Sequence, residues 1–132
     1  DADFIVKLID VVPPGEIYSL STYANKGNAM FQRLVRAEVM RGKFRNNYVV
    51  PEPFIPGKVS EVKIHLNDIF HTFKAGHKIM VQVQSSWFPL VDRNPQKFMR
   101  IPDASPEDFQ KSTIKLYHDK DHDSKIVLPV LR

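Results

Sequence analysis

Ten prolines spread along 132 residues rule out an architecture of long helices. Each proline fixes its own φ and removes a backbone donor, so a helix interior tolerates none of them cheaply. Gly15, Gly57 and Gly76 each stand just ahead of a candidate strand, and together the breakers cut the chain into runs of strand length. Short runs between turn residues specify an all-β domain.

Within those runs, Phe4 to Val11 reads as a largely buried strand, ended by the turn Val12-Pro13-Pro14-Gly15-Glu16, with residues 17–20 as a return strand. Residues 59–66 alternate, with Val62, Ile64 and Leu66 on one face and Glu61, Lys63 and His65 on the other, as a half-buried antiparallel strand does. The strongest strand follows Gly76: Ile79, Val81 and Val83 point one way, and Lys78, Met80, Gln82 and Gln84 the other. Residues 114–118 and 126–131 alternate too, and across a polar loop at 119–124 they predict a closing hairpin. One stretch stays open. Phe31, Leu34, Val35 and Val39 match helical spacing about as well as Val35, Ala37 and Val39 match strand spacing. Residues 90–110 read as a long irregular crossover of the length a Greek-key connection takes. Six or so strands with one or two long loops predict a jelly-roll β-sandwich.

The length suits one domain, which at this size buries roughly two-thirds of the surface of its unfolded chain. With 42% hydrophobic and 26% charged residues the chain is globular in composition. No apolar run approaches the roughly 18 residues of a membrane span, so no membrane partner is expected. The absence of cysteine excludes disulfides and thiolate chemistry but leaves the compartment open. A net charge of +4 does not by itself predict a nucleic-acid partner. The first residue is Asp1, and an apolar run begins at Phe4 with no basic or signal-like lead-in, which reads as a cut end.

Catalytic chemistry is hard to find. A serine nucleophile of the α/β-hydrolase kind needs a G-x-S-x-G elbow, and the glycines at 15, 27, 42, 57 and 76 bracket no serine in that way. No catalytic residue and no cofactor is therefore expected within the chain. The segment His118-Asp119-Lys120-Asp121-His122-Asp123 gathers two imidazoles and three carboxylates, but it lacks the spacing of a metal motif. Lys120 and Lys125 would oppose a cation, so it reads as a hydrated loop without metal. Lys26, Arg33, Arg36, Arg41, Lys43 and Arg45 face the single acid Glu38, with Phe31, Phe44 and Tyr48 as possible stacking platforms. A solvated face, or one meeting an acidic partner domain, accounts for them without nucleic acid. The only tryptophan, Trp87, stands beside Phe88 and is followed by Asp92-Arg93-Asn94-Pro95. Aromatics at a strand end serve as core, interface anchor or sugar platform, and the polar residues after them suit turn capping and loop tethering.

The run Asp1-Ala2-Asp3-Phe4-Ile5-Val6-Lys7-Leu8-Ile9-Asp10-Val11 is the first of four motifs that resemble a known family. The second is Gly42-Lys43-Phe44-Arg45 followed by Pro51-Glu52-Pro53 and Pro56-Gly57. His71-Thr72-Phe73-Lys74-Ala75-Gly76-His77 and the segment from Ser85 to Pro95 complete the set, with Tyr117-His118-Asp119 and Leu128-Pro129-Val130-Leu131 also fitting. In this order they resemble the C-terminal domain of the cocaine esterase and X-Pro dipeptidyl-peptidase-like serine hydrolases, nearest in flavour to the α-amino-acid ester hydrolases and glutaryl-cephalosporin acylases.

The resemblance implies a non-catalytic jelly roll, galactose-binding-like, packed on an α/β-hydrolase domain of the same polypeptide that holds the Ser, Asp and His triad. It implies that the parent cleaves ester or amide bonds of acyl, aminoacyl or dipeptidyl substrates, and it leans toward a periplasmic or secreted location. It assigns the open stretch at 34–45 to a strand. It also implies further strands ahead of Asp1, so that residues 1–132 form a single domain lacking its first strands, and self-association of the fragment is expected. Trp87, Phe88, Asp92, Arg93 and Asn94 are the expected interface residues. The reading from a different class is a stand-alone carbohydrate-binding jelly roll, with Trp87 or Tyr117 as the stacking surface.

Overall fold

The computed structural model describes residues 1–15 and 31–129. The expected return strand at 17–20, Lys26 and the last three residues lie outside them. Three strands form one antiparallel sheet: β1 (Asp3–Val12), β2 (Phe31–Arg41) and β3 (Lys78–Gln84), in the order β2-β1-β3. Short 3₁₀ turns at Gly42–Phe44, Ile101–Asp103 and Pro106–Asp108 complete the regular structure. Among the described residues there is no α-helix, and the domain is all-β.

β1 is central because its apolar run can serve two neighbours at once. Ile5 and Ile9 pair with Val39 and Leu34 of β2 and with Gln84 and Met80 of β3. Ile5, Ile9, Val11 and Val12 are all buried, so the described core lies along this strand. Burying such a side chain contributes about 1.5–3 kcal/mol.

The register of β1 against β2 slips once. Leu8 faces Arg36 and Ile9 faces Leu34, which leaves Val35 as the extra residue of a β-bulge. Directly paired residues share a face, so Leu34, Ala37 and Val39 all lie on the face of Ile9, Lys7 and Ile5. Phe31 pairs with Val12 on the other face, so the helix-like set Phe31, Leu34, Val35 and Val39 is divided between the two faces and the bulge.

β2 stops at Gly42, whose N–H donates to the Ala2 carbonyl at 2.8 Å. A Cβ at this glycine would meet the Phe54 ring and come within 2.6 Å of the Ala2 oxygen. At the other end of the sheet Asp10 is fully buried on the opposite face of β1. Its Oδ1 lies 2.7 Å from His77 Nδ1 and its Oδ2 lies 3.0 Å from His71 Nε2. Both histidines come from the connection that leads into β3, and Arg33 of β2 is the register partner of Asp10.

Elsewhere the strand expectations are met in part. Val62, Ile64 and Leu66 are half-buried and Glu61, Lys63 and His65 exposed, as the alternation predicts, but no ladder joins 59–66 to another described segment. The hairpin expected from 114–118 and 126–131 is not formed among the described residues, and Ile114, Leu116, Ile126 and Leu128 are exposed. Alternation gives a strand two faces; it supplies neither a ladder partner nor a covering layer.

Two stability outcomes follow, both measurable by urea unfolding. Gly42→Ala forces the Phe54 ring and the start of β1 apart and costs about 1–3 kcal/mol. His77→Leu strands a buried carboxylate oxygen of Asp10 and costs about 3 kcal/mol; a loss under 1 kcal/mol would mean that the carboxylate finds another donor.

Candidate functional site

One end of the sheet collects the start of β1, the ends of β2 and β3, and the loops that follow them. Asp3 opens β1 and is buried, and a buried carboxylate demands partners. Asn94 supplies the first, donating from Nδ2 to Asp3 Oδ1 at 2.9 Å and to Asp1 Oδ2 at 3.2 Å. Arg41, at the end of β2, reaches Asp3 through Nη1 and Asp92 through Nη2, each at 3.5 Å. These are ion pairs too long for hydrogen bonds. Lys43 donates to the Met99 carbonyl at 2.6 Å and sits 3.9 Å from Asp1. Burial pushes the Asp3 carboxyl above its ordinary value, against the opposing pull of Asn94, Arg41 and Lys43. Burial likewise lowers the Lys43 ammonium, helped by Arg41 and opposed by Asp3.

This network fixes the loop after β3. Asn94 Oδ1 accepts from Gln96 N at 2.8 Å, the turn-capping role its residue type suits, and Gln96 takes a left-handed φ of 63°. Val91 N donates to the Trp87 carbonyl at 3.0 Å, and the Phe88–Pro89 peptide is cis. The Lys7 ammonium lies 4.3 Å from the centroid of the Trp87 ring, a cation–π contact on one face of the half-buried indole. Phe88 and Leu90 project outward and are exposed. Arg93 covers the Phe109 ring at 4.8 Å and so ties two loops together. Phe88, Asp92, Arg93, Ile101, Pro102 and Phe109 border a shallow cleft of about 340 Å³.

The five expected interface residues thus separate by position. Phe88, Asp92 and Arg93 are exposed, Trp87 is half-buried beneath Lys7, and Asn94 is buried, an internal strut rather than a surface group. In the basic stretch at 33–45, expected as a solvated face or one meeting an acidic partner domain, several cations have partners within the chain. Arg36 pairs with Glu38 at 2.6 Å, Arg41 and Lys43 join the Asp3 network, and Arg45 bonds main-chain carbonyls. At 118–123, Asp119 Oδ1 accepts from Asp121 N and His122 N at 3.0 and 2.8 Å, a capped turn, and His122 lies against Tyr117. No group of three or more metal-ligating side chains is assembled among the described residues. The Asp10 cluster was missed in the sequence, although His71 and His77 flank a turn ahead of the best strand.

Beyond Asn94, the chain is clamped by Lys97, whose Nζ donates to Asp108 Oδ1 at 2.6 Å. Asp108 Oδ2 also accepts from the Ser105 N–H and hydroxyl, both at 3.0 Å. The Lys97 bond, with those from Ser105, lowers the Asp108 carboxyl from 3.8 to about 2. A depressed carboxylate stabilises the fold above its unfolded value and loses that contribution as pH falls, so the clamp holds above pH 3.8 and opens through about 2. Carbon-detected NMR titration is expected to find Asp108 ionised at pH 3 in the native chain and shifted upward in Lys97→Met; coincident curves would mean the contact is not made.

Residues 1–127 match the X-Pro dipeptidyl-peptidase C-terminal non-catalytic domain. Cocaine esterase of Rhodococcus sp. (strain MB1 Bresler) is 31% identical over 132 residues, covering all of this chain and 20% of the esterase. A crystal structure of an aminopeptidase from the marine sediment archaeon Thaumarchaeota archaeon is similar over 83% of this chain, at 45% identity and a TM-score of 0.70. That match takes up 17% of the aminopeptidase chain, so this chain spans a fifth or less of these relatives. The match takes in the stretches at 1–11, 42–57, 71–77 and 85–95, and the chain belongs to the family of X-Pro dipeptidyl-peptidase C-terminal non-catalytic domains.

Proposed function

We propose that this chain is the non-catalytic β-domain of a serine hydrolase, packing on an α/β-hydrolase domain of the same polypeptide and walling part of its substrate cleft. The observation that carries the reading is the match over residues 1–127 to a domain described as non-catalytic, in a chain that spans only a fifth of cocaine esterase. The parent then hydrolyses ester or amide bonds of acyl, aminoacyl or dipeptidyl substrates through a serine acyl-enzyme, and its triad lies elsewhere. A jelly-roll sandwich completes the architecture, the three described strands being part of one of its sheets.

Exposed apolar surface supports the reading. Phe88 and Leu90 stand out from a loop fixed at both ends, and Ile79 and Val83 of β3 are exposed as well. Exposed apolar side chains of this kind are what a contact between domains would bury. Phe88, Asp92 and Arg93, with Trp87 behind them, form the docking surface, and Asn94 holds it in place from inside. With the hydrolase domain absent, the same surfaces favour self-association of the isolated chain.

A fluorophosphonate probe is expected to label the full-length parent and leave the 132-residue chain unlabelled. Labelling of the short chain would overturn the non-catalytic reading. In the parent, Phe88→Ala is expected to raise KM for bulky acyl substrates more than it lowers kcat, since the ring binds ground and transition states alike. An unchanged KM, with the variant folded, would remove Phe88 from the cleft.

A further inference from the structure

Residues 43–53 form a loop whose base is held by several hydrogen bonds. Glu52 N closes it on the Lys43 carbonyl at 2.7 Å. The Arg45 guanidinium fills the interior, donating to the Gly42 and Glu52 carbonyls at 3.0 Å each and to Pro53 at 3.2 Å. It also lies 4.1 Å from the Phe54 ring centroid. Asn46 Nδ2 donates to Glu52 Oε2 at 2.7 Å, and Asn47 Oδ1 accepts from the N–H groups of Val49 and Val50 at 2.7 and 3.1 Å. The backbone of the tip is thereby fixed.

Its side chains point away from this support: Tyr48, Val49 and Val50 are 80%, 85% and 57% exposed. Three consecutive apolar residues on a braced tip keep their surface in water at a cost of about 25 cal/mol per Å², while the bracing removes most of the ordering cost of binding. Residues 46–51 carry no charge in a chain that is 26% charged. A neutral, apolar tip suits an apolar protein pocket better than a phosphate or an acidic surface.

Phe44 and Pro51 of the loop border, with Phe98 and Met99, a cleft of about 260 Å³. The segment that follows, Ile101 and Pro102, borders the cleft beside Phe88, so the tip stands at the same end as the proposed docking surface. The relatives supply an occupant, since this chain covers 20% of cocaine esterase and 17% of the archaeal aminopeptidase and most of each lies outside the match. We infer that Tyr48, Val49 and Val50 insert as a preformed anchor into an apolar pocket of the hydrolase domain on the same polypeptide. This rests on the domain reading above and adds to it the residues that seat one domain on the other.

The test places Val49→Cys in this cysteine-free chain and in the full-length hydrolase, with maleimide labelling read peptide by peptide by mass spectrometry. Lys63→Cys, at an exposed position, is the reference. The Val49→Cys site is expected to label at least about tenfold more slowly in the full-length protein, with the reference unchanged. Equal rates at position 49, in a full-length protein that takes up the fluorophosphonate probe, would overturn the anchor and leave the domain reading standing. A full-length protein that takes up no probe would overturn both. Slowing that grows with the concentration of the short chain would assign the tip to a second copy, and slowing by phosphatidylcholine vesicles but not by the full-length context would assign it to a bilayer; either result overturns the inference.

Discussion

β1 carries two buried carboxylates, Asp3 and Asp10, and the described structure is organised around satisfying them. They lie near opposite ends of the strand and, by parity, on opposite faces of the sheet. A buried carboxylate without donors is prohibitively costly, so each one dictates what must come next to it. Asp3 draws in Asn94 from the connection after β3, and Asp10 draws in His71 and His77 from the connection before it. Two irregular segments with few ladder bonds of their own are thereby fastened to the most buried strand. The stretches at 1–11, 71–77 and 85–95 hold, in physical terms, the two carboxylates and groups that bond them.

β1 is legible in the sequence as a nearly continuous apolar run closed by Pro13, Pro14 and Gly15, and β3 as a period-two repeat opened by Gly76. β2 stays open for a definite reason: the bulge at Val35 shifts the parity by one, so the face that holds Leu34 continues at Ala37 and Val39 rather than at even-numbered positions. A pattern search that assumes one period cannot see a strand that changes phase midway. The polar networks were less visible still. Asn94 and Asp3 are far apart in the chain, and nothing local to either announces the other. Asp92-Arg93-Asn94-Pro95 reads as a polar turn with a capping side chain, and Asn94 does cap it, but the distant carboxylate it also bonds makes it internal rather than part of the expected contact surface.

The cations teach the same lesson. Six basic residues around one acid suggested a charged face, but Arg36, Arg41, Lys43 and Arg45 each have partners within the chain. Arg45 is the plainest case: its planar fork bonds three carbonyls and its flat face covers Phe54, work that a lysine's point charge cannot do. Charge counted along a sequence predicts a field only when the side chains are free to project it.

Two kinds of exposed apolar surface remain, and their patterns differ. At 114–118 exposed apolar residues alternate with polar ones, which is the arrangement a flat covering layer or a neighbouring strand would bury. At 48–50 they are consecutive on a tight turn, so no flat layer could cover all three at once. A concave partner can, and only a tip whose backbone is already fixed would enter one without a large loss of chain entropy. Arg45, Asn46 and Asn47 provide that fixation. The bonding below the tip and the apolar side chains on it are therefore two halves of one device, and neither is accounted for by the stability of the three-stranded sheet alone.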